Sequence, residues 1–317
     1  MNERYISKRW TTPNQRGSFS ALSGFLRNSP QFKDKKLVEN VLSGLHSFSV
    51  HTPSKRIWKR RKVITAFTGQ VHAIDLGDYS KYSKENNNFK WIFLICDIFS
   101  KYLWCYKLKD KSAKSVFEAL QVHFKKKSNV PKKIWSDNGK EFKNRLVTDL
   151  LQKYNVTLYS TLSRLKSVYA EVYLKIIKTK LERWFTYTKT HRWVDVLDKL
   201  VISMNNAVNT RTKLTPASVF ENKKFESLAW FNQYRGILDA KPRKPKFRVN
   251  QLVRVSRDRL LFDKAYEQGF MDEVFRIKEI RFTKPVEVYV LEDLSGEQLN
   301  TSFYREELVG VPSIPTE

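Results

Sequence analysis

Three carboxylates stand where they could do chemistry together. Asp75 falls in a short apolar run, residues 71–76, that reads as a strand. Asp137 follows the brief strand Lys133–Trp135 and opens the turn Asp137-Asn138-Gly139-Lys140, in which Gly139 permits a tight reversal that aims the carboxylate off its strand. Glu171 lies near the start of a long helix over 167–188, with 33 residues between it and Asp137. Strand ends and a helix start can converge on one edge of a sheet. Carboxylates gathered that way repel one another unless cations sit among them. Mg²⁺ takes hard oxygen ligands of this kind while keeping waters and accepting phosphate oxygens. Two such ions about 3.5–4 Å apart serve in-line phosphoryl displacement, activating the attacking oxygen and stabilising the leaving one.

Each acid also has a plainer reading as a solvated loop or helix carboxylate. Glu141 and Asp78 compete locally. Glu141 is expected in the first turn of a helix over 141–154, where an acid offsets the helix dipole. Asp78 stands three residues beyond Asp75 and so faces the other side of a strand. On the long helix, Glu171, Lys175, Lys178 and Glu182 share one face, while Leu174, Ile177, Leu181 and Trp184 share another. A buried apolar stripe would expose a carboxylate flanked by two lysines. That arrangement suits phosphoryl transfer on DNA, and equally suits ordinary charge decoration of an exposed helix.

The charge agrees with a polyanionic partner. The 317 residues carry 59 basic and 32 acidic side chains, a net of +27, with nucleic acid the leading candidate. Residues 1–62 contribute +11, residues 63–225 contribute +16, and residues 226–317 are neutral. Within the last part, 241–259 holds 8 bases against 1 acid. Any nucleic-acid surface is therefore expected on the first two segments and on 241–259. Hydrophobic residues at 41% allow true cores, which argues against a disordered basic tail. No apolar run is long enough to span a bilayer, and the N-terminal stretch MNERYISKRW lacks a signal-peptide core; a soluble intracellular protein is expected. Two cysteines, Cys96 and Cys105, are too few for a disulfide framework or a cysteine zinc site.

The elements that must position the acids follow from periodicity. Residues 18–25 and 35–45 read as short helices, the second with Leu37, Val41 and Leu45 as its stripe. They are expected to be held by packing rather than zinc, because His46 and His51 have no cysteine partners. The connector that follows includes Trp58, Lys59, Arg60, Arg61 and Lys62, and reads as a nuclear-import signal or a DNA contact. From residue 70 the pattern becomes β/α. Strands are expected at 71–76, 91–96, 103–108, 133–135 and 156–159, and helices at 113–127, 141–154, 167–188 and 194–208. That order predicts a mixed five-stranded sheet flanked by helices. After a proline-rich basic joint, short strands at 252–256, 274–280, 286–291 and 302–304 predict a small β-barrel. The expected division is 1–62, a basic helical domain with its connector; 63–225, the catalytic core; 226–250, a linker; and 251–312, the β module.

Residues 63–225 resemble the catalytic core of retroviral-type integrases, RNase H-like polynucleotidyl transferases with a D,D,E triad, and most of all the integrases of Maverick (Polinton) transposons. The stretches that carry the likeness are Ala73-Ile74-Asp75-Leu76, the run from Leu94 through Asp97-Ile98-Phe99-Ser100-Lys101-Tyr102, Ser136-Asp137-Asn138-Gly139-Lys140-Glu141-Phe142 and Lys166-Ser167-Val168-Tyr169-Ala170-Glu171, followed by Asn205-Asn206 and Thr215-Pro216-Ala217. Weaker likenesses reach Gly17-Ser18-Phe19-Ser20 and Phe303-Tyr304-Arg305-Glu306-Glu307-Leu308, the latter resembling the end of a chromo/SH3-like module. The resemblance implies that Asp75, Asp137 and Glu171 are the catalytic, metal-binding triad for two Mg²⁺ or Mn²⁺ ions. It places Lys175 and Lys178 at the donor DNA end, with Lys166, Lys59, Arg60 and Arg61 as further DNA contacts, and gives Asp97 a structural part. It implies 3′-end processing and strand transfer in the nucleus, on transposon ends and target DNA, by a homo-oligomer, with chromatin as a further partner. The chain departs from retroviral integrases in lacking a His₂Cys₂ module, in an Asp-to-Glu gap of 33 rather than 35 residues, and in having Val172 where arginine usually follows the glutamate. The alternative class is a transposon-derived DNA-binding protein without catalytic activity; a third reading is a nuclease of the same fold acting on RNA–DNA hybrids. The C-terminal module is expected to be a DNA contact or a chromatin reader, with Phe270, Phe275 and Tyr289 in its core.

Overall fold

The computed structural model describes residues 3–54, 58, 63–137, 139–160, 168–241, 243–257, 268–283 and 286–313. Among these the chain divides into two compact units, Val63–Asp239 and a second made of Met1–Lys62 with Ala240–Glu317.

The composite unit begins with α1 (Glu3–Thr11), α2 (Leu22–Arg27), α3 (Lys35–Gly44) and α4 (His46–Val50). Ile6, Trp10, Phe25, Phe32, Val38 and Leu42 form their shared core. The α3 stripe is Val38 and Leu42, one position on from the expected Leu37, Val41 and Leu45, which are half-buried at its edge. The Asp34 carboxylate accepts from the amides of Lys36 and Leu37 and thereby sets where α3 starts.

The larger unit holds β1 (Val71–Asp78), β2 (Trp91–Asp97), β3 (Leu103–Leu108), α5 (Ala113–Phe124), β4 (Lys133–Trp135), α6 (Arg145–Lys153), β5 (Thr157–Tyr159), α7 (Val168–Thr188), α8 (Leu197–Asn206), α9 (Pro216–Glu221) and α10 (Glu226–Leu238). The sheet order is β3-β2-β1-β4-β5; the first three strands pair antiparallel, and β4 and β5 run parallel to β1. This is the expected RNase H-like mixed sheet. Both faces are covered, which is why Trp91–Asp97 is almost continuously apolar. On one face α7 and α8 bury Ala170, Leu174, Ile177, Leu181 and Leu197 against Ala73, Leu94 and Trp135; on the other α5 and α6 bury Leu120 and Leu150 against Ile74 and Phe93.

Three local expectations need correction. The α7 stripe continues to Phe185, 5% exposed, whereas Trp184 is 36% exposed. At 100° per residue Phe185 lies about 20° from Leu174 around the helix, and Trp184 about 80°. Helix α6 begins at Arg145 because the Asn144 side chain caps it, so Glu141 lies in the preceding turn. Residues 226–238, expected as linker, form α10, which packs into this unit through Ala229, Tyr234 and Ile237; the Tyr234 hydroxyl meets the Thr65 amide at 3.2 Å.

The C-terminal strands β6 (Leu252–Val255), β7 (Phe275–Thr283), β8 (Val286–Glu292), β9 (Gln298–Tyr304) and β10 (Leu308–Val311) form an antiparallel sheet of order β10-β6-β7-β8-β9, consistent with the expected small β-barrel. Tyr289 and Phe270 are buried and Phe275 packs against the core cluster. The sequence suggests that the barrel and the N-terminal helices are separate modules, but they share one body. The Val50 carbonyl accepts from the amides of Gly269 and Phe270, and buried Arg254 reaches His46 Nδ1 at 3.0 Å while His46 Nε2 faces Asp272 at 3.3 Å. Neither half exposes a sequence signal for the other, because the contacts rest on single polar atoms rather than on an apolar stripe.

Candidate functional site

The three acids are delivered by three elements of the larger unit. On parallel β1 and β4, Ala73 pairs with Trp135. Asp75 and Asp137 each stand two residues further on, Asp75 within β1 and Asp137 just past β4, so the register sets them on the same face towards the same end of the sheet. Ala73 and Trp135 belong to the face covered by α7. Helix α7 lies close above β1 at this point: a Cβ added to Gly77 would meet Leu174 Cδ2 at 3.1 Å and Lys178 Cε at 3.7 Å. Glycine at 77 is thus what lets the helix approach. Glu171 stands in the first turn of α7, exposed, directly after buried Ala170.

Asp75 and Asp137 are half-buried. Asp75 Oδ1 accepts from the Leu76 amide at 2.8 Å, and Asp137 Oδ1 accepts from the Gly139 amide at 3.0 Å. The turn after Asp137 is as tight as its glycine implies, since a Cβ on Gly139 would fall 2.7 Å from the Glu141 carboxyl carbon. Glu141 therefore folds back over the turn that holds Asp137, a neighbour that a helical reading of its position hides. Asp78 ends β1 on the opposite face and accepts from the Ser80 amide. The donor chemistry fits a hard divalent cation, and the topology brings the acids to one sheet end. Among the described residues, however, no three such side chains stand close enough together to hold a metal ion.

Lys175 and Lys178 are exposed on the same face of α7 as Glu171, as the helical spacing predicts. Lys166, Lys59, Arg60 and Arg61 lie outside the described residues.

Two positioning features had no signal in composition or periodicity. The first is Asp97, fully buried at the end of β2. Its Oδ1 accepts from the Ser100 amide at 2.6 Å and hydroxyl at 2.8 Å, its Oδ2 accepts from the Gly69 amide at 2.6 Å, and His72 Nε2 lies 3.4 Å away. Burial would push this carboxyl up, but His72 and the amides of Ser100 and Gly69 outweigh it and hold the pKa below the ordinary carboxylate value. The second is Lys101, in the β2–β3 turn with φ +68°, 3% exposed. Its ammonium donates to the Ile98 carbonyl and lies 4.9 Å from the centroid of the Tyr169 ring. Burial lowers its pKa to about 8. Tyr169 in turn meets Trp135 edge-on at 6.3 Å. Trp135 precedes Asp137 by two residues and Tyr169 precedes Glu171 by two, so this contact ties the roots of two of the acids together. A desolvated cation–π pair is worth about 2 kcal/mol. Lys101→Met is accordingly expected to speed hydrogen exchange in the first turns of α7 well above any change elsewhere in the unit, measured by mass spectrometry.

The far side of the sheet contains a neutral buried histidine. His123 Nδ1 contacts the Tyr106 hydroxyl at 2.9 Å, and burial holds its pKa down at about 2. A histidine pKa depressed by folding gives stability that is fully present above its unfolded value, about 6.5, and is lost as pH falls towards the folded value. Stability of the larger unit is expected to fall by up to about 1.4 kcal/mol per pH unit below that point. His123→Gln should flatten this limb in denaturant titrations at a series of pH values.

A mixed β3-β2-β1-β4-β5 sheet with helices on both faces is the architecture of RNase H-like cores. Residues 69–162 match the family model described as integrase core domain. The chain is 37% identical over 196 residues to a transposon-derived protein of Caenorhabditis elegans, covering 62% of this chain and 65% of that one. It is 32% identical over 116 residues to the Retrovirus-related Pol polyprotein from transposon 412 of Drosophila melanogaster, covering 32% of this chain and 9% of that one. It thus spans just under two thirds of the first relative and a small part of the second. Among solved structures, a chain in the cryo-EM structure of the simian T-cell lymphotropic virus intasome in complex with PP2A regulatory subunit B56 gamma matches over 90% of this chain and 94% of its own length, with TM-score 0.63 and 11% identity, a likeness of fold. Over residues 69–162 the chain is thus similar to integrase core domains.

Proposed function

We propose that the chain is a DNA integrase of a transposable element, of the Maverick (Polinton) kind, that processes the 3′ ends of its element and joins them to target DNA. The observation that supports this reading is the register of parallel β1 and β4, in which Asp75 and Asp137 each stand two residues beyond the paired Ala73 and Trp135, with Glu171 in the first turn of α7. These three residues would hold two Mg²⁺ or Mn²⁺ ions, which supply activation of an attacking oxygen and neutralisation of charge at the leaving oxygen. The chain's own part is placement. Lys175 and Lys178 meet phosphates of the donor strand beside Glu171, with Lys166, Lys59, Arg60 and Arg61 extending that contact. The scissile phosphodiester is held in line with water in the first step and with the freed 3′-hydroxyl in the second, so no covalent enzyme intermediate is required. A homo-oligomer holds two ends at once, and the work is done in the nucleus on DNA in chromatin.

Incubating the full chain with Mn²⁺, duplexes bearing candidate ends and a target plasmid tests this reading. Joined products with recessed 3′ ends are expected. Binding of the ends with neither nicking nor joining would overturn it in favour of a transposon-derived DNA-binding protein.

A further inference from the structure

The end of the sheet opposite the three acids is a second charged surface, built by residues away from the carboxylates. Three segments meet there. Helix α5 closes with Lys125, Lys126 and Lys127; Lys132 and Lys133 enter β4; and Lys153 closes α6. All six side chains are exposed. They sit on contiguous ground: Phe124 and Tyr154 pack ring to ring at 5.0 Å, the Thr157 amide donates to the Lys132 carbonyl, and the Lys132 amide donates to the Gly69 carbonyl. Residues 63–74, 121–133 and 150–158, which build most of this end, contain no aspartate or glutamate, and Asp97, whose Oδ2 accepts from the Gly69 amide there, is fully buried. Glu226 reaches its margin, where Oε1 accepts from the Thr68 amide.

Lysines at helix C-termini commonly complement the helix dipole, which would account for Lys125–Lys127 and Lys153. It does not account for Lys133, which opens a strand, or for Lys132 before it, whose ammonium lies 4.9 Å from the centroid of the Phe67 ring. Lys199, Lys223 and Lys224, also exposed, differ in having acids beside them: Lys199 follows Asp195 and Asp198, and Lys223 and Lys224 lie between Glu221 and Glu226.

We infer that this lysine pole is a second DNA-binding surface, holding the phosphate backbone of a duplex segment other than the one at the carboxylates. Lys133 opens β4 and Asp137 follows its far end, four residues or about 13 Å away along the strand. Lys132 and Lys133 stand at the start of the strand and Asp137 follows it, so the pole and the acids open on opposite ends of the sheet. Point-charge ammonium groups with no element fit to enter a groove suit backbone contact without sequence readout. The inference rests on the integrase reading for the identity of the polyanion as DNA.

The test compares two triple variants of the full chain that lose equal charge: Lys125→Gln/Lys126→Gln/Lys127→Gln at the pole, and Lys199→Gln/Lys223→Gln/Lys224→Gln elsewhere. Thermal melts confirm that both fold; Lys132→Gln/Lys133→Gln, outside the helices, is the second pole variant. Fluorescence anisotropy with an unrelated 30-bp duplex is read against salt. The pole triple is expected to flatten the slope of log K against log salt by about 2 to 3, since each phosphate no longer neutralised removes about 0.9, and to weaken binding by about tenfold or more. The control should change the slope by less than about 1. In the joining assay the pole variants should still nick a single end at the unaltered rate and lose joining to a second duplex. Equal slopes for pole and control variants would overturn the inference, as would capture of an acidic protein with DNA binding unchanged. A wild-type chain that shows the pole-dependent slope but never nicks or joins would instead remove the integrase reading.

Discussion

Asp137→Asn is expected to abolish end processing and joining, by about 10³-fold or more, which corresponds to about 4 kcal/mol of transition-state stabilisation. The replacement removes one negative charge and little else. The side-chain oxygen that accepts from the Gly139 amide at 3.0 Å is retained in asparagine, so the turn and β4 should persist. DNA affinity should stay within about threefold, because a carboxylate facing phosphate opposes binding rather than supporting it. The same holds for Asp75→Asn, whose contact with the Leu76 amide is also made by a side-chain oxygen. Loss of joining with retained binding and an unchanged melting temperature is the expected pattern. A variant that joins ends at the wild-type rate would exclude that acid from the centre.

Asp97→Asn is expected to act on the fold instead. Both Asp97 oxygens are occupied by donors: Ser100 N–H and O–H on one, Gly69 N–H on the other. Asparagine must turn its NH₂ towards one of these donors, which leaves donor facing donor in a fully buried site. Removing one partner of a buried, hydrogen-bonded charge costs about 3–5 kcal/mol. For a unit of this size that lowers the melting temperature by roughly 10 °C or more. The sign with pH follows from the lowered pKa of Asp97. Its stabilisation is present above the unfolded carboxylate value and is lost as pH falls through the folded value, so the wild type should lose an acid-limb term that Asp97→Asn lacks. Thermal denaturation from neutral to strongly acid pH checks both points. An unchanged melting temperature would mean that the knot joining the 69–71 segment to the β2–β3 turn is dispensable.

The parts legible in the sequence are those written in strong periodicity. The apolar run Trp91–Asp97, the alternation in Leu103–Leu108 and the glycine turn after Asp137 each specify local structure almost alone. Helix α7 is legible as to face, because Glu171, Lys175 and Lys178 fall opposite Leu174, Ile177 and Leu181. The end of its stripe is not, because Trp184 and Phe185 are both apolar and only their angle around the axis separates them. The start of α6 is hidden because capping by Asn144 decides it, a single hydrogen bond in a stretch where Glu141 and Phe142 continue the helical pattern. Helix α10 reads as linker because its apolar residues are mixed with polar ones on several faces. The Lys101–Tyr169–Trp135 contact and the docking of the N-terminal helices on the barrel are long-range side-chain contacts. They become visible only when segments far apart in the chain are brought together.

The proposed three-carboxylate centre is tested most directly by Mn²⁺ binding to the full chain with a duplex end present, followed by electron paramagnetic resonance in the wild type, Asp75→Asn, Asp137→Asn and Glu171→Gln. Specific binding in the wild type, weakened in each of the three variants and retained in Glu141→Gln and Asp78→Asn, is the predicted result. Wild-type binding that survives all three substitutions, or that is lost only with Glu141 or Asp78, would contradict it.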